Sequence, residues 1–180
     1  MTKPSENELA ELLELARGGG QDAFGQLVSR FEGVIMKTAL AMTGHYDQAQ
    51  DAAQEVFLSF FRSLDRIDAQ RGVQAWLRKV TVHTCLTLLQ RRGRIEDRER
   101  PGQPDLHPSV NTHSPMEGEL TSLLAELSPR ERAAFVLVYQ YGYQTAEAGV
   151  VLGIAPGTVK SLCFRARHKL REAMQKQGGL

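Results

Sequence analysis

The stretch Gly153–Leu170, GIAPGTVKSLCFRARHKL, sets cations and hydroxyls on helical spacing directly after a glycine–proline turn. Projected at 3.6 residues per turn, Val159, Cys163, Ala166 and Leu170 form one apolar face. Lys160, Ser161, Phe164, Arg165, Arg167 and His168 spread over the rest. Such a helix can recognise a polyanion, its early turns entering the DNA major groove and its cations meeting phosphates. A solvated basic face on a bundle helix gives the same pattern, and the Gly-turn-Pro punctuation favours the DNA reading. A second group has the opposite sign. Asp51 and Glu55 stand at i and i+4 with Gln54 beside them, an acidic strip suited to basic groups on a partner, and Val56, Phe57 and Phe60 supply area to bury. Taken alone, that strip also fits a solvated helix face. A third group, Arg78, Lys79, Arg91 and Arg92 near Trp76, offers the cationic groove and ring that hold unpaired nucleic acid. Trp76 fits a core position equally well.

None of these groups makes or breaks bonds. The chain has no phosphate-binding glycine motif, no nucleophile elbow and no paired carboxylates with a base, so it is expected not to be an enzyme. His107 and His113 lack cysteines at ligand spacing, so neither a metal nor another cofactor is expected. The two cysteines, Cys85 and Cys163, sit inside apolar helical patterns, which argues against a disulfide framework and for a reducing cytoplasm. The N-terminal twenty residues are acidic and polar, unlike a secretory leader. No apolar run approaches the ~20 residues of a membrane span, so no membrane insertion is expected.

The elements that must position these groups read almost entirely as helix, and the fold class is all-α. Apolar spacing predicts helices over 6–17, 22–43, 47–64 and 73–92, the first stopped by Gly18, Gly19 and Gly20. Residues 93–118 then carry four prolines and three glycines with almost no apolar periodicity, which reads as a flexible linker. The division is an N-terminal domain over 1–95, a linker over 96–117 and a C-terminal domain over 118–180. Ser128, Pro129 and Glu131 form a capping box with proline at N1. A short helix over 145–152 ends at Gly153, Ile154 and Ala155 complete a turn, and Pro156 opens the next helix, a helix-turn-helix. The net charge of +1 conceals a pattern: residues 71–100 hold eight basic against three acidic side chains, and residues 131–180 seven against three. Two separate cationic surfaces suggest two contacts with a polyanion.

YQTAEAGVVLGIAPGTVKSLCFRARHKL resembles the C-terminal DNA-binding domain of bacterial RNA polymerase sigma factors of the small extracytoplasmic-function type. LSPRERAAFVLVY looks like the helix before that helix-turn-helix. Independently, DQAQDAAQEVFLSFFRSLDRI is similar to the family segment that docks on the clamp of the polymerase large subunit, and WLRKVTVHTCLTLLQRRGR to the helix that melts and reads the downstream (minus 10) promoter element. The resemblance implies a transcription initiation factor with two helical domains in the family's order. It assigns core RNA polymerase binding to Asp51, Gln54, Glu55, Phe57 and Phe61, and names the clamp and flap of the large subunit as the protein's partner surfaces. Downstream-element contacts, in duplex and single-stranded DNA, fall to Trp76, Arg78, Lys79, His83, Arg91 and Arg92. Upstream (minus 35) contacts fall to Thr158, Lys160, Ser161, Phe164, Arg165 and Arg167. An anti-sigma factor is the implied regulator.

Four positions depart from the family pattern, which usually has asparagine at His83, a carboxylate at Thr87, arginine at Leu162 and alanine at Gly149. His83 is expected on the DNA-reading face. Leu162 could touch a thymine methyl or pack on another helix. Gly149 is expected to loosen its helix by ~1 kcal/mol. Two rivals stay open: a helix-turn-helix repressor or activator binding a palindrome alone as a dimer, and a helical adaptor using only the acidic strip.

Overall fold

A computed structural model of the chain describes residues 6–68, 72–99 and 121–177. Helix α1 spans Glu6–Arg17, α2 Gln21–Thr43, α3 Tyr46–Ser63 and α4 Val73–Glu99, with a single 3-10 turn at Leu64–Arg66 after α3. The C-terminal half holds α5 over 121–125, α6 at Pro129–Phe135, α7 at Thr145–Leu152 and α8 at Pro156–Gln177. No strand occurs among the described residues, so the architecture is all-α.

Helices α1 to α4 close around Leu13, Leu27, Phe31, Ile35, Val56, Phe60, Ile67 and Leu77. These residues recur at helical spacing, which is why each segment forms a helix with one buried stripe. Between α1 and α2 the chain turns so tightly that a Cβ on Gly20 would lie 2.8 Å from the Leu15 carbonyl oxygen. Arg17 then ties α1 to the end of α3, its Nε donating to the Leu64 carbonyl at 2.9 Å and its Nη2 to that of Ile67.

Two observations go beyond the sequence expectation. First, α4 continues through Arg92 to Glu99. Gly93 costs only ~1 kcal/mol inside a helix, and the arginines and glutamates that follow are good helix formers. The expected linker therefore begins as helix, and the rest of it, from residue 100, lies outside the described residues. Second, the halves share a core. Ala39, Met42, Ala49, Ala52, Val82 and Cys85 pack in one cluster with Ala133, Ala134, Leu137, Val151, Leu162 and Cys163.

Arg132 fastens this junction from within. It is 7% exposed. Its Nη1 donates to the Met42 carbonyl at 2.6 Å, in the last turn of α2, and its Nη2 to the carbonyls of Leu127 at 3.1 Å and Ala125 at 3.3 Å. Carbonyls at a helix C-terminus lack intrahelical partners and carry partial negative charge, so a cation is favoured there. Burial lowers the Arg132 pKa to about 10, which leaves it charged at neutral pH. Substituting Arg132→Met keeps the volume but strands three carbonyls. The expected loss is about 2–4 kcal/mol, read as a lower urea midpoint of unfolding.

Candidate nucleic-acid and polymerase interfaces

Helices α7 and α8 are bent by 100° about the turn between them, within the helix-turn-helix range. Gly153 caps α7 in the left-handed region, φ +67°, and the Ile154 N–H reaches back to the Gly149 carbonyl at 3.0 Å. Ala155 accepts from the Thr158 and Val159 amides, at 2.9 and 3.2 Å, and starts α8. Gly149 has a steric role that the sequence does not reveal: a Cβ there would sit 2.7 Å from the Ile154 carbonyl oxygen. The family's alanine would not fit without moving this turn.

Helix α8 buries Val159, Cys163 and Ala166, and Leu170 packs at the edge, as the projection requires. Thr158, Lys160, Ser161, Phe164, Arg165 and Arg167 are all exposed, Phe164 at 72%. The Ser161 hydroxyl donates to the Gly157 carbonyl at 3.1 Å. Leu162 is different, with 5% exposure in the shared core. It packs in the seam between the halves in this arrangement.

Glu131 orients this helix, a role hidden behind its capping position. It accepts from the Ser128 backbone N–H at 3.0 Å, and its own N–H donates to the Ser128 hydroxyl at 3.4 Å, the expected capping box. The same carboxylate also accepts from Arg165 Nε at 3.2 Å and Lys169 Nζ at 2.8 Å, while its side chain is only 5% exposed. Burial alone would raise the Glu131 pKa, but hydrogen bonds from Lys169 and Ser128 outweigh it and bring it down to about 2. Arg165 is thus held at one edge of its guanidinium.

On α3, Asp51, Gln54, Glu55, Leu58, Phe61 and Arg62 are exposed and follow i, i+3, i+4, i+7, i+10, i+11 spacing, so they share one face. Phe61, 61% exposed, stands edge-on to Phe24 with centroids 5.2 Å apart. Phe57 turns partly inward and packs on the N-terminal core. Leu58, 44% exposed, completes the face and was legible only from its spacing to Glu55 and Phe61.

The α4 candidates divide. Lys79, Arg91 and Arg92 are exposed. Trp76 is half-buried against the N-terminal core, its ring 5.8 Å from that of Phe60. Arg78 is half-buried and lies over the Tyr141 ring, 4.6 Å from its centroid. The exposed His83 places Nε2 2.5 Å from the Val151 carbonyl oxygen of α7. Among the described residues, no group of His, Cys, Asp and Glu could hold a metal, and no single helix is long and apolar enough to cross a membrane.

Residues 27–95 match the family described as Sigma-70 region 2, and residues 117–170 match Sigma-70, region 4. The chain therefore has the two-part build of a sigma factor, a transcription initiation factor class rather than an enzyme class. It is 32% identical over 169 residues to the ECF RNA polymerase sigma factor SigM of Mycobacterium tuberculosis (strain Erdman), spanning 92% of this chain and 84% of that protein. Its fold is similar to CnrH in complex with the cytosolic domain of CnrY, with a TM-score of 0.65, 26% identity, and 94% and 98% of the two chains covered. It is also similar in fold to the sigma factor RpoE from Bartonella quintana in complex with the anti-sigma factor NepR, at TM-score 0.66 and 24% identity over 84% and 96% of the chains. The chain belongs to the ECF RNA polymerase sigma factors.

Two substitutions test the helix-turn-helix. Helix propensity alone would have Gly149→Ala stabilise by ~1 kcal/mol, but the clash with Ile154 should reverse the sign to a loss of about 1–3 kcal/mol by denaturant unfolding. Glu131→Gln keeps the capping acceptors and removes the charge. A carboxyl whose folded pKa is depressed stabilises above its unfolded value and loses that effect as pH falls. The variant should be weaker by about 2 kcal/mol at pH 7, discounted for the half-exposed partners. The gap from wild type should close between pH 4.5 and about 2. A constant gap would mean that the charge is immaterial.

Proposed function

We propose that this chain binds core RNA polymerase and directs it to specific promoters. The observation that supports the reading best is the presence, in one chain and in family order, of an acidic and apolar exposed face on α3 and a cationic exposed face on α8. In this reading Asp51, Gln54, Glu55 and Phe61, with Leu58 beside them, meet the polymerase clamp, and Phe57 supports that face from beneath. Lys79, Arg91 and Arg92, with Trp76, Arg78 and His83, follow and open the downstream element. Thr158, Lys160, Ser161, Phe164, Arg165 and Arg167 contact the upstream element, where their mixture of hydroxyls, cations and one ring suits both phosphates and base edges. The division into domains at 1–95 and 118–180 belongs to the same proposal. So do action in the cytoplasm and control by an anti-sigma factor, the kind of partner that RpoE carries in its complex with NepR.

Run-off transcription with purified core polymerase on a library of promoter fragments tests this. New start sites that depend on the protein are expected. The pair Asp51→Ala and Glu55→Ala should weaken polymerase binding roughly tenfold, as two lost charge contacts would. Tight binding of duplex DNA by the protein alone, without transcripts, would instead favour a helix-turn-helix repressor or activator.

A further inference from the structure

A buried carboxylate at the start of α6 reaches the exposed cationic face of α8, and the function proposed above gives it no part. The Glu131 side chain is 5% exposed, whereas the Arg165 side chain that it holds is 54% exposed. Glu131 Oε2 accepts from the Ser128 N–H at 3.0 Å and from Lys169 Nζ at 2.8 Å. One oxygen thus serves both the helix cap and the balancing cation. Oε1 is left for Arg165, whose Nε donates to it at 3.2 Å. The carboxylate is anchored from two helices and is ionised at neutral pH. A guanidinium carries five N–H donors in a rigid fork. Glu131 takes the Nε edge, and among the described residues Nη1 and Nη2 of Arg165 have no hydrogen-bond partner. Lys160 and Arg167, exposed on the same helix, have no ion-pair anchor of this kind among the described residues.

We propose that Glu131 is a positioning residue for sequence discrimination: it grips Arg165 by the Nε edge and sets the Nη fork against a base edge of the upstream element. The inference rests on the promoter-reading function proposed above. Its basis is preorganisation. A long side chain loses rotamer freedom when it binds, and a fork already fixed in the free protein loses less. With Nε taken, the end-on pair remains, and such a fork matches paired acceptors such as O6 and N7 of guanine. The same carboxylate has a second effect of opposite sign. Its negative charge reduces the positive field that α8 presents, which weakens attraction to any phosphate backbone. The two effects leave different signatures. Positioning raises the ratio of right to wrong sequence, while the charge lowers affinity for all sequences alike.

The test reads specificity with the full chain on core polymerase, selecting start sites from a library randomised across the upstream element. Glutamine also satisfies a capping box, so Glu131→Gln should fold. It should flatten the preference at one base pair about fivefold, the weight of one newly mobile side chain, while affinity for unrelated duplex rises. Glu131→Asp keeps the charge but shortens the arm, and should flatten the same base pair. Arg165→Lys offers no fork and should do likewise, and adding Glu131→Gln to it should change nothing further there. Lys169→Met removes the other cation but leaves the Nε tether, so its stability should fall and its selected sequences should match wild type. Selected sequences unchanged in both Glu131 variants, or losses spread evenly over all positions, overturn the proposal. Equal flattening by Lys169→Met also overturns it, reducing Glu131 to a structural charge. A wild-type chain that yields no start sites defeats the sigma-factor reading and this inference with it, a result distinct from an unaltered preference in active variants.

Discussion

The arrangement depends on a seam of short side chains. Ala39, Ala49 and Ala52 on one side and Ala133, Ala134 and Ala148 on the other have no exposed surface. Alanines bring helix backbones close together, and close backbones let short polar reaches succeed. Arg132 can touch the Met42 carbonyl only because α6 lies directly against the end of α2. The same proximity brings Tyr141 under Arg78 and Val151 to His83. Larger residues at these positions would push the halves apart by overpacking and would break the crossing contacts together.

Much of the helical plan was legible in sequence, because each helix must bury one stripe and periodicity reports that stripe directly. Helices α2, α7 and α8 lie within a residue or two of their expected bounds. The Ser128–Glu131 capping box was equally legible, since it is a contact between residues three apart. What periodicity does not contain is the identity of the opposing surface. The family resemblance implies a DNA-reading face for His83; the side chain is exposed, and periodicity could not show that α7 approaches it. It offered two readings of Leu162, and only the tertiary contact decides for packing. His83, Thr87 and Leu162, three of the four departures from the family pattern, line one cleft between the halves. Their departures are coupled through space.

Electrostatics explains why one helix can both pack and bind. The α8 cations divide their work. Lys169 and the Nε edge of Arg165 neutralise the buried Glu131, while Lys160 and Arg167 stay exposed. A buried carboxylate without those partners would be costly, so the pair of cations fixes the rotation of α8 about its axis. That rotation sets which residues look outward, and Phe164 does so as a consequence, with 72% of its surface exposed beside the cations. Exposed aromatic surface of this size is tolerable where a partner covers it for part of the working cycle.

The strength of the seam is bounded from both sides. Each crossing hydrogen bond contributes only about 1 kcal/mol net, because water would satisfy the same groups in the open state. The apolar area between the alanine-lined helices contributes more, at roughly 25 cal/mol per Å². A polymerase that binds both halves must recover that area and those bonds in its own contacts. Small residues and short polar reaches together make the closure, and its buried cation, Arg132, finds carbonyl partners in both halves. The crossing groups observed here are carbonyls, a ring, a phenol, an imidazole and two arginines, with no carboxylate among them.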